Sequence, residues 1–315
     1  MTERDHPLTP DAIQLIATID EAGSFAAAAR SLGKVPSALS YSVRQLEDAL
    51  DVLLFDRSSR TAILTPAGRE LLNEGRRLLL ELDAVASRIK RVASGWEGQL
   101  TIAANALMCP RTMLDLTSAF LDQRDDDGNA PPTRLRLRQE VLSGTWEALL
   151  TGAADLAIGA DSGDTRAAGI QVRPLGDIHF VFAVAPHHPL AHATEPLDPM
   201  TIRAHRAVAI ADSAMRLSTS SRNLLQGQEV LTVPTLDMKI SAQLRGLGCG
   251  FLPEPRVRGH VAAGRLVVRR TPETPLARFS IAWRSGAQRG RALEWWLQQL
   301  DSPRTRQALL DGMTA

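Results

Sequence analysis

SFAAAARSLGKVPSALSYSVRQLEDALDVLLFDRSSR, residues 24–60, decides how the chain folds. Its first residue, Ser24, has a hydroxyl that can accept a hydrogen bond from a free backbone N–H in the first turn of a helix. Phe25, Ala28, Ala29 and Leu32 follow at i, i+3, i+4 and i+7, the spacing that lines up side chains on one helical face. The alanines are small enough to let another helix come close. Gly33 and Lys34 interrupt the pattern, and Pro36 supplies a preset φ suited to the first position of a second helix. Leu39, Val43, Leu46 and Leu50 then form a second apolar stripe that ends near Asp51. The other face carries Ser37, Ser40, Tyr41 and Arg44, side chains able to reach base edges or phosphates. Two short helices joined by a tight turn, the second polar on its outer face, make a helix-turn-helix.

Outward from this pair, residues 52–56 and 61–65 are short apolar runs around Arg57-Ser58-Ser59-Arg60. They read as a β-hairpin wing with arginines near its tip, placed to enter a minor groove or hold a phosphate. The competing reading is a small helical packing domain with Arg57 and Arg60 in solvent. Net charge is +1 over the chain, and residues 1–94 carry a slight acidic excess. Bulk charge therefore does not draw nucleic acid. Binding requires Arg30, Lys34, Arg44, Arg57 and Arg60 to face the DNA, with Glu47, Asp48 and Asp51 turned away.

GSFAAAARSL, ALSYSVRQLE, LLFDR and LTPAG follow one another in an order that resembles the N-terminal region of LysR-type transcriptional regulators. Within that family the similarity is to the YhaJ-like branch, through VPSALSY, DVLLFDRS, GWE and EVLSGTWE. Two positions depart from the pattern. Val35 stands where the family usually has a Ser or Thr cap, and Pro36 where Gln is common, so a base contact made by that Gln is not carried over. The resemblance implies a winged helix-turn-helix, a long linker helix and a two-lobed, periplasmic-binding-protein-like α/β effector domain. It also implies a dimer or tetramer acting on double-stranded operator DNA, a small-molecule effector, and RNA polymerase as a further partner.

At 315 residues the chain has room for two or three domains with their own cores. Thr9-Pro10 opens a first helix, with Ala12, Leu15, Ile16 and Ile19 on one face. Thr65-Pro66 opens a much longer one. Along it Leu71, Leu78, Val85 and Val92 recur every seven residues, Leu82 and Ile89 fall between them, and Gly75 lies on the same seam. Heptads with charges between them predict a coiled coil with a second copy, against a helix that merely lies on its own domain. Beyond residue 95, apolar runs at 100–104, 135–141 and 156–158 alternate with helical stretches. A second series runs at 180–185, 207–210, 230–233 and a helix at 236–247, and 266–268, 279–283 and a helix at 292–300 close the chain. The alternation predicts a parallel sheet with helices on its faces. The expected domains are 1–65 for DNA binding, 66–94 for the linker and 95–315 for the effector. The last divides into lobe I, about 96–161 and 268–315, and lobe II, about 162–267.

A cleft at the carboxyl ends of the strands is where such sheets take ligands. Asn105 ends the first strand, and the helix after it is expected to aim its amides there. Ser143 opens the next helix, Asp212 follows a strand of the second lobe, and Pro253 turns near the return crossing. Asp161 is a further strand-end aspartate, read equally as ligand contact or cap. One tyrosine and seven phenylalanines limit aromatic stacking in the pocket, and five tryptophans remain for it. His187, His188 and His192 read as a solvated loop rather than a metal site, and no metal or cofactor is expected. Cys109 and Cys249 read as buried small residues in a reducing cytoplasm. No run of about 18 apolar residues predicts a membrane span. The alternative function is an α/β enzyme with a fused helical oligomerisation module, for which no catalytic constellation is legible.

Overall fold

The computed structural model describes residues 7–56, 61–124, 128–161, 169–215, 217, 223–284 and 289–311. The chain divides into two compact units, Met1–Ala86 and Ser87–Ala315.

In the first unit, α1 (Pro10–Ala22) begins at Thr9, whose side chain accepts from the Ala12 amide at 3.2 Å. Ser24 does the same for α2 (Phe25–Ser31), accepting from the Ala27 amide at 3.2 Å. Each such cap contributes about 1 kcal/mol. Val35 precedes α3 (Pro36–Leu50) without any side-chain cap, and Asp51 ends it in the left-handed region. Ala28, Ala29, Leu39, Val43 and Leu46 are buried together with Ile16 and Ile19, so the three helices share one core. Leu32 departs from the expected stripe: it ends α2 and stays exposed. The wing is shorter than predicted. β1 (Phe55–Asp56) pairs antiparallel with β2 (Ile63–Leu64) through two residues each.

Glu47 is turned away from the exposed face of α3 and into the protein. It is 4% exposed, and its carboxylate accepts from the Leu54 amide at 2.7 Å and the Phe55 amide at 3.3 Å. The recognition helix thus holds the first strand of the wing by two backbone donors that would otherwise be buried unpaired.

α4 (Pro66–Ser94) is one helix of 29 residues, opened by Thr65, whose hydroxyl accepts from the Gly68 amide at 3.0 Å. Gly75 is buried against α1: a Cβ there would stand 2.5 Å from Ile13 Cγ2. The close approach that glycine permits is made within the chain, not with a second copy. Further along, Leu78, Leu82, Val85 and Ile89 are exposed by 49, 51, 38 and 65%, an apolar stripe left open among the described residues. The side chain of Val92 lies outside the described residues.

The second unit opens with β3 (Gln99–Asn105), α5 (Pro110–Leu121), β4 (Arg134–Glu140), α6 (Gly144–Leu150) and β5 (Leu156–Asp161). There follow β6 (Ile170–Val184), a 3₁₀ turn at Pro189–His192, α7 (Pro199–Arg203), β7 (Ala207–Ile210), β8 (Val230–Val233), α8 (Leu236–Leu244), β9 (Gly250–Pro253) and α9 (Glu254–Ala262). β10 (Val267–Arg269), β11 (Leu276–Arg284), α10 (Arg291–Asp301) and α11 (Pro303–Leu310) complete it. β3 is parallel to β4 and β5, and β7 to β8, as alternation predicts. The sheet as a whole is mixed. β11 runs antiparallel to both β5 and β6, and β6 antiparallel to β9 and β10. β6 is fifteen residues long because it serves both lobes: residues 170–179 pair with β11, and residues 180–184 with β9 and β10.

One lobe packs Ile102, Phe120, Ile158, Ile281 and Trp296, and the other packs Phe182, Leu190, Cys249, Leu252 and Val257 in two adjoining clusters. α10 has no side-chain cap of its own at Gly290. Buried Glu97 accepts instead from the Ala292 and Leu293 amides at 3.1 and 3.3 Å.

Replacing Glu47 by Ala leaves the Leu54 and Phe55 amides without their acceptor. The expected loss is about 1.5–3 kcal/mol of stability in urea melts, and Glu47→Gln should recover a large part of it.

Candidate functional site

Two regions concentrate the polar groups that the sequence singled out. On α3, Leu39, Val43 and Leu46 are turned into the core, while Ser37, Ser40, Tyr41 and Arg44 are exposed on the opposite side. Tyr41 is 63% exposed, and its hydroxyl accepts from Gln45 Nε2 at 2.9 Å. Gln45 joins this face, a member that sequence spacing signals at i+4 from Tyr41. Arg30 is exposed in the last turn of α2. Asp48 corrects an expectation. It is exposed four residues after Arg44, on the same stripe and not turned away from it. Arg57 and Arg60 lie outside the described residues.

In the second unit a cavity of about 130 Å³ opens where β6 changes partner. Asn105 and Pro253 line it, and Ser143 and Asp212 do not. Asn105 is 6% exposed; its Oδ1 accepts from the Leu107 amide at 3.0 Å. Asp212 Oδ1 accepts from the Ala214 amide at 2.9 Å and so serves a local turn. The α5 start is also covered. Cys109, at the head of α5, donates its amide to Leu309 O at 2.8 Å, and the Thr112 hydroxyl donates to Ala308 O at 3.0 Å. The Cys109 amide and the Thr112 hydroxyl thus face α11.

The space in front of α6 is taken by Ser213. Its hydroxyl donates to Glu140 Oε2 at 2.8 Å and accepts from the Val141 amide at 2.9 Å. It packs onto Gly144, where any Cβ would collide with Ser213 Oγ. The same segment offers the amides of Met215 and Leu217 to Glu147, whose two oxygens accept at 2.8–3.0 Å. The segment that leaves β7 is therefore clamped onto β4 and α6 by two carboxylates and one hydroxyl.

The cavity walls are largely apolar, with Leu107, Phe180, Phe251, Leu276 and Phe279, and the polar groups Asn105, Asp161, Asn223 and Lys239. None of the tryptophans lines it. Trp146 instead donates its indole N–H to Asp161 O at 2.7 Å. Lys239, which sequence reading passed over, stands on α8, and burial lowers its ammonium to about 8. Among the described residues no carboxylate pairs with it. Cys249 nearby is no counter-ion, because burial pushes its thiol up to about 11. His188 corrects the solvated-loop reading. It is 6% exposed, its Nδ1 accepts from the Leu190 amide at 3.2 Å, and burial with the neighbouring His205 and His187 lowers its pKa.

Two family models match the chain. "Bacterial regulatory helix-turn-helix protein, lysR family" covers residues 10–69, and "LysR substrate binding domain" covers residues 93–302. The probable HTH-type transcriptional regulator YhaJ of Escherichia coli K12 is 38% identical over 297 residues, 94% of this chain and 97% of that one. The HTH-type transcriptional activator AllS of Klebsiella pneumoniae is 36% identical over 82% of this chain and 94% of its own. Among solved structures, full-length CbnR in complex with its target DNA has a TM-score of 0.58 at 19% identity, covering 95% of this chain and all of its own, a likeness of fold. No helix among the described residues is long and apolar enough to cross a membrane.

Glu147→Ala removes the acceptor for two amides of the clamp. Hydrogen exchange at Met215 and Leu217 should quicken at least about tenfold, since bonds to a charged group contribute roughly 1.5–3 kcal/mol. The global melting temperature should move little.

Proposed function

The chain belongs to the LysR family of bacterial DNA-binding transcriptional regulators, and from that premise we propose which of its residues read DNA and which receive the effector. Residues 1–65 bind the operator, 66–94 join two copies, and 95–315 take a small molecule between lobe I and lobe II. The observation that carries the reading is α3. One face is buried under α1 and α2, and the other leaves Ser37, Ser40, Tyr41 and Arg44 exposed. A helix so anchored can enter a major groove with those side chains leading. Arg30 approaches the backbone from α2, and Arg57 and Arg60 serve the wing. Asp48, on the same stripe as Arg44, works against non-specific attraction, which favours base contacts over bulk charge.

Self-association through α4 is supported by Leu78, Leu82, Val85 and Ile89, which no part of the chain covers among the described residues. The effector site is supported by the cavity and by the two predicted residues, Asn105 and Pro253, that line it. The competing reading, an α/β enzyme with a fused oligomerisation module, has no support from the relatives, which are named as regulators and activators. Our reading places the protein in the cytoplasm, as a regulator that turns over no substrate.

Arg44→Ala should weaken binding to the cognate operator by about 1–3 kcal/mol in fluorescence anisotropy, and weaken random DNA far less. Equal losses on both would assign Arg44 to a phosphate. Arg57→Ala and Arg60→Ala should act in the opposite way, lowering the salt slope by about one each on every sequence. Leu78→Asp combined with Leu82→Asp should halve the mass seen by light scattering; an unchanged assembly would refute the seam.

A further inference from the structure

We propose that the effector is a small monocarboxylate with an apolar body of about one ring, its anionic group held by Lys239. The inference rests on the reading of the inter-lobe cavity as the effector site and narrows it to a chemical class.

The size of the cavity, its apolar walls and the polar groups around it carry the inference. The cavity of about 130 Å³ is close to the roughly 150 Å³ that accommodates a benzene ring in an engineered apolar cavity. Its walls carry the rings of Phe180, Phe251 and Phe279. A ligand of that size buries an apolar body well and leaves room for one polar group.

Lys239 supplies the partner for that group. A partly buried ammonium without a counter-ion is costly, and its lowered pKa of about 8 reflects that cost. At neutral pH it still carries its charge for most of the time. An anion entering the cavity would restore the interaction that burial removed.

Gln243 lies one helical turn beyond Lys239 and next to it, outside the residues that line the cavity. It is fully buried, and among the described residues neither amide atom has a hydrogen-bond partner. Its Nε2 and Lys239 Nζ converge on Gly250, lying 3.2 and 3.9 Å from where a Cβ on that glycine would stand. A larger residue at position 250 would occupy the space between the two donors.

Asp161 sets the limit of one negative charge. It lines the cavity from the end of β5 and does not pair with Lys239. A second carboxylate on the ligand would face this aspartate. One charge directed at α8, with the apolar body toward the phenylalanines, meets every wall on favourable terms.

The test titrates the full chain calorimetrically with benzoate, phenylacetate and hexanoate, and with the amide of each. At least one acid should bind about ten- to hundredfold more tightly than its own amide. Lys239→Met should bring that acid to parity with its amide, and Lys239→Arg should keep the preference. An acid and amide that bind alike, a preference that survives Lys239→Met, or failure of all three acids to bind overturns the proposal. Ala209→Trp, which fills the cavity, separates this from the underlying reading. Loss of acid and amide together with equal wild-type affinities would leave the cavity as the site and remove only the anion. Unchanged binding in Ala209→Trp would place the site elsewhere.

Discussion

β6 has to satisfy two cores with one strand, and the cavity exists because of where it changes from one to the other. His179 is the last residue paired with β11, opposite Leu276, and Phe180 is the first paired with β9, opposite Pro253. At that step the strand leaves one set of hydrogen-bond partners and takes up another. No side chain from either neighbouring strand can fill the wedge between them completely. Phe180, Leu276 and Pro253 all line the cavity for this reason. A strand that crossed between lobes as a loop would permit large relative motion. A strand that keeps its ladder on both sides permits twisting and bending about one short segment, and confines ligand-induced change to the geometry beside the cavity.

Carboxylates acting on distant backbone amides are the second device of the fold, and they explain much of what the sequence concealed. Glu47 secures the wing from α3, Glu97 caps α10, and Glu147 holds the segment after β7. Each satisfies donors that would otherwise be buried or frayed. Nothing in the local sequence marks them, because a glutamate on a helix reads as a solvated charge until the partner segment is known. Thr9, Ser24 and Thr65 were legible for the opposite reason: their partners are their own helix's first amides, three residues on.

The same division separates the rest of what could and could not be read. Apolar spacing located α1 to α4 and most strands, since burial on one face needs only a local repeat. Strand direction was not encoded in those runs, and the antiparallel setting of β11 and β6 depends on which edge the returning chain finds free. β9, α9 and α11 escaped notice. β9 is four residues long, and α9 and α11 are rich in arginine or proline. In the candidate site, Asn105 could be placed because it ends a strand, and Pro253 because a turn near the return crossing was read there. Lys239 could not, for on α8 it alternates with exposed Asp237 and Met238 and has no sequence mark of burial.

The clamp at Ser213 and the cavity at Lys239 lie on different segments of the β7–α8 region, and this bears on how a ligand would act. Ser213, Met215 and Leu217 attach one end of that region to Glu140 and Glu147. Lys239, on α8, is the end left without a charged partner among the described residues. A molecule that bridges Lys239 to the apolar wall would tie the second end as well. It can shift the balance between lobe arrangements only by its difference in affinity for them. That difference is greatest when one contact is made in both arrangements and another in a single one. Apolar contact with Phe279 alone would discriminate weakly, because such contacts tolerate sliding. A charged contact at Lys239 falls off steeply with distance in a site of low dielectric. Placing Lys239 on the lobe that is otherwise held by the clamp therefore gives a small ligand its largest lever on the relative setting of the lobes.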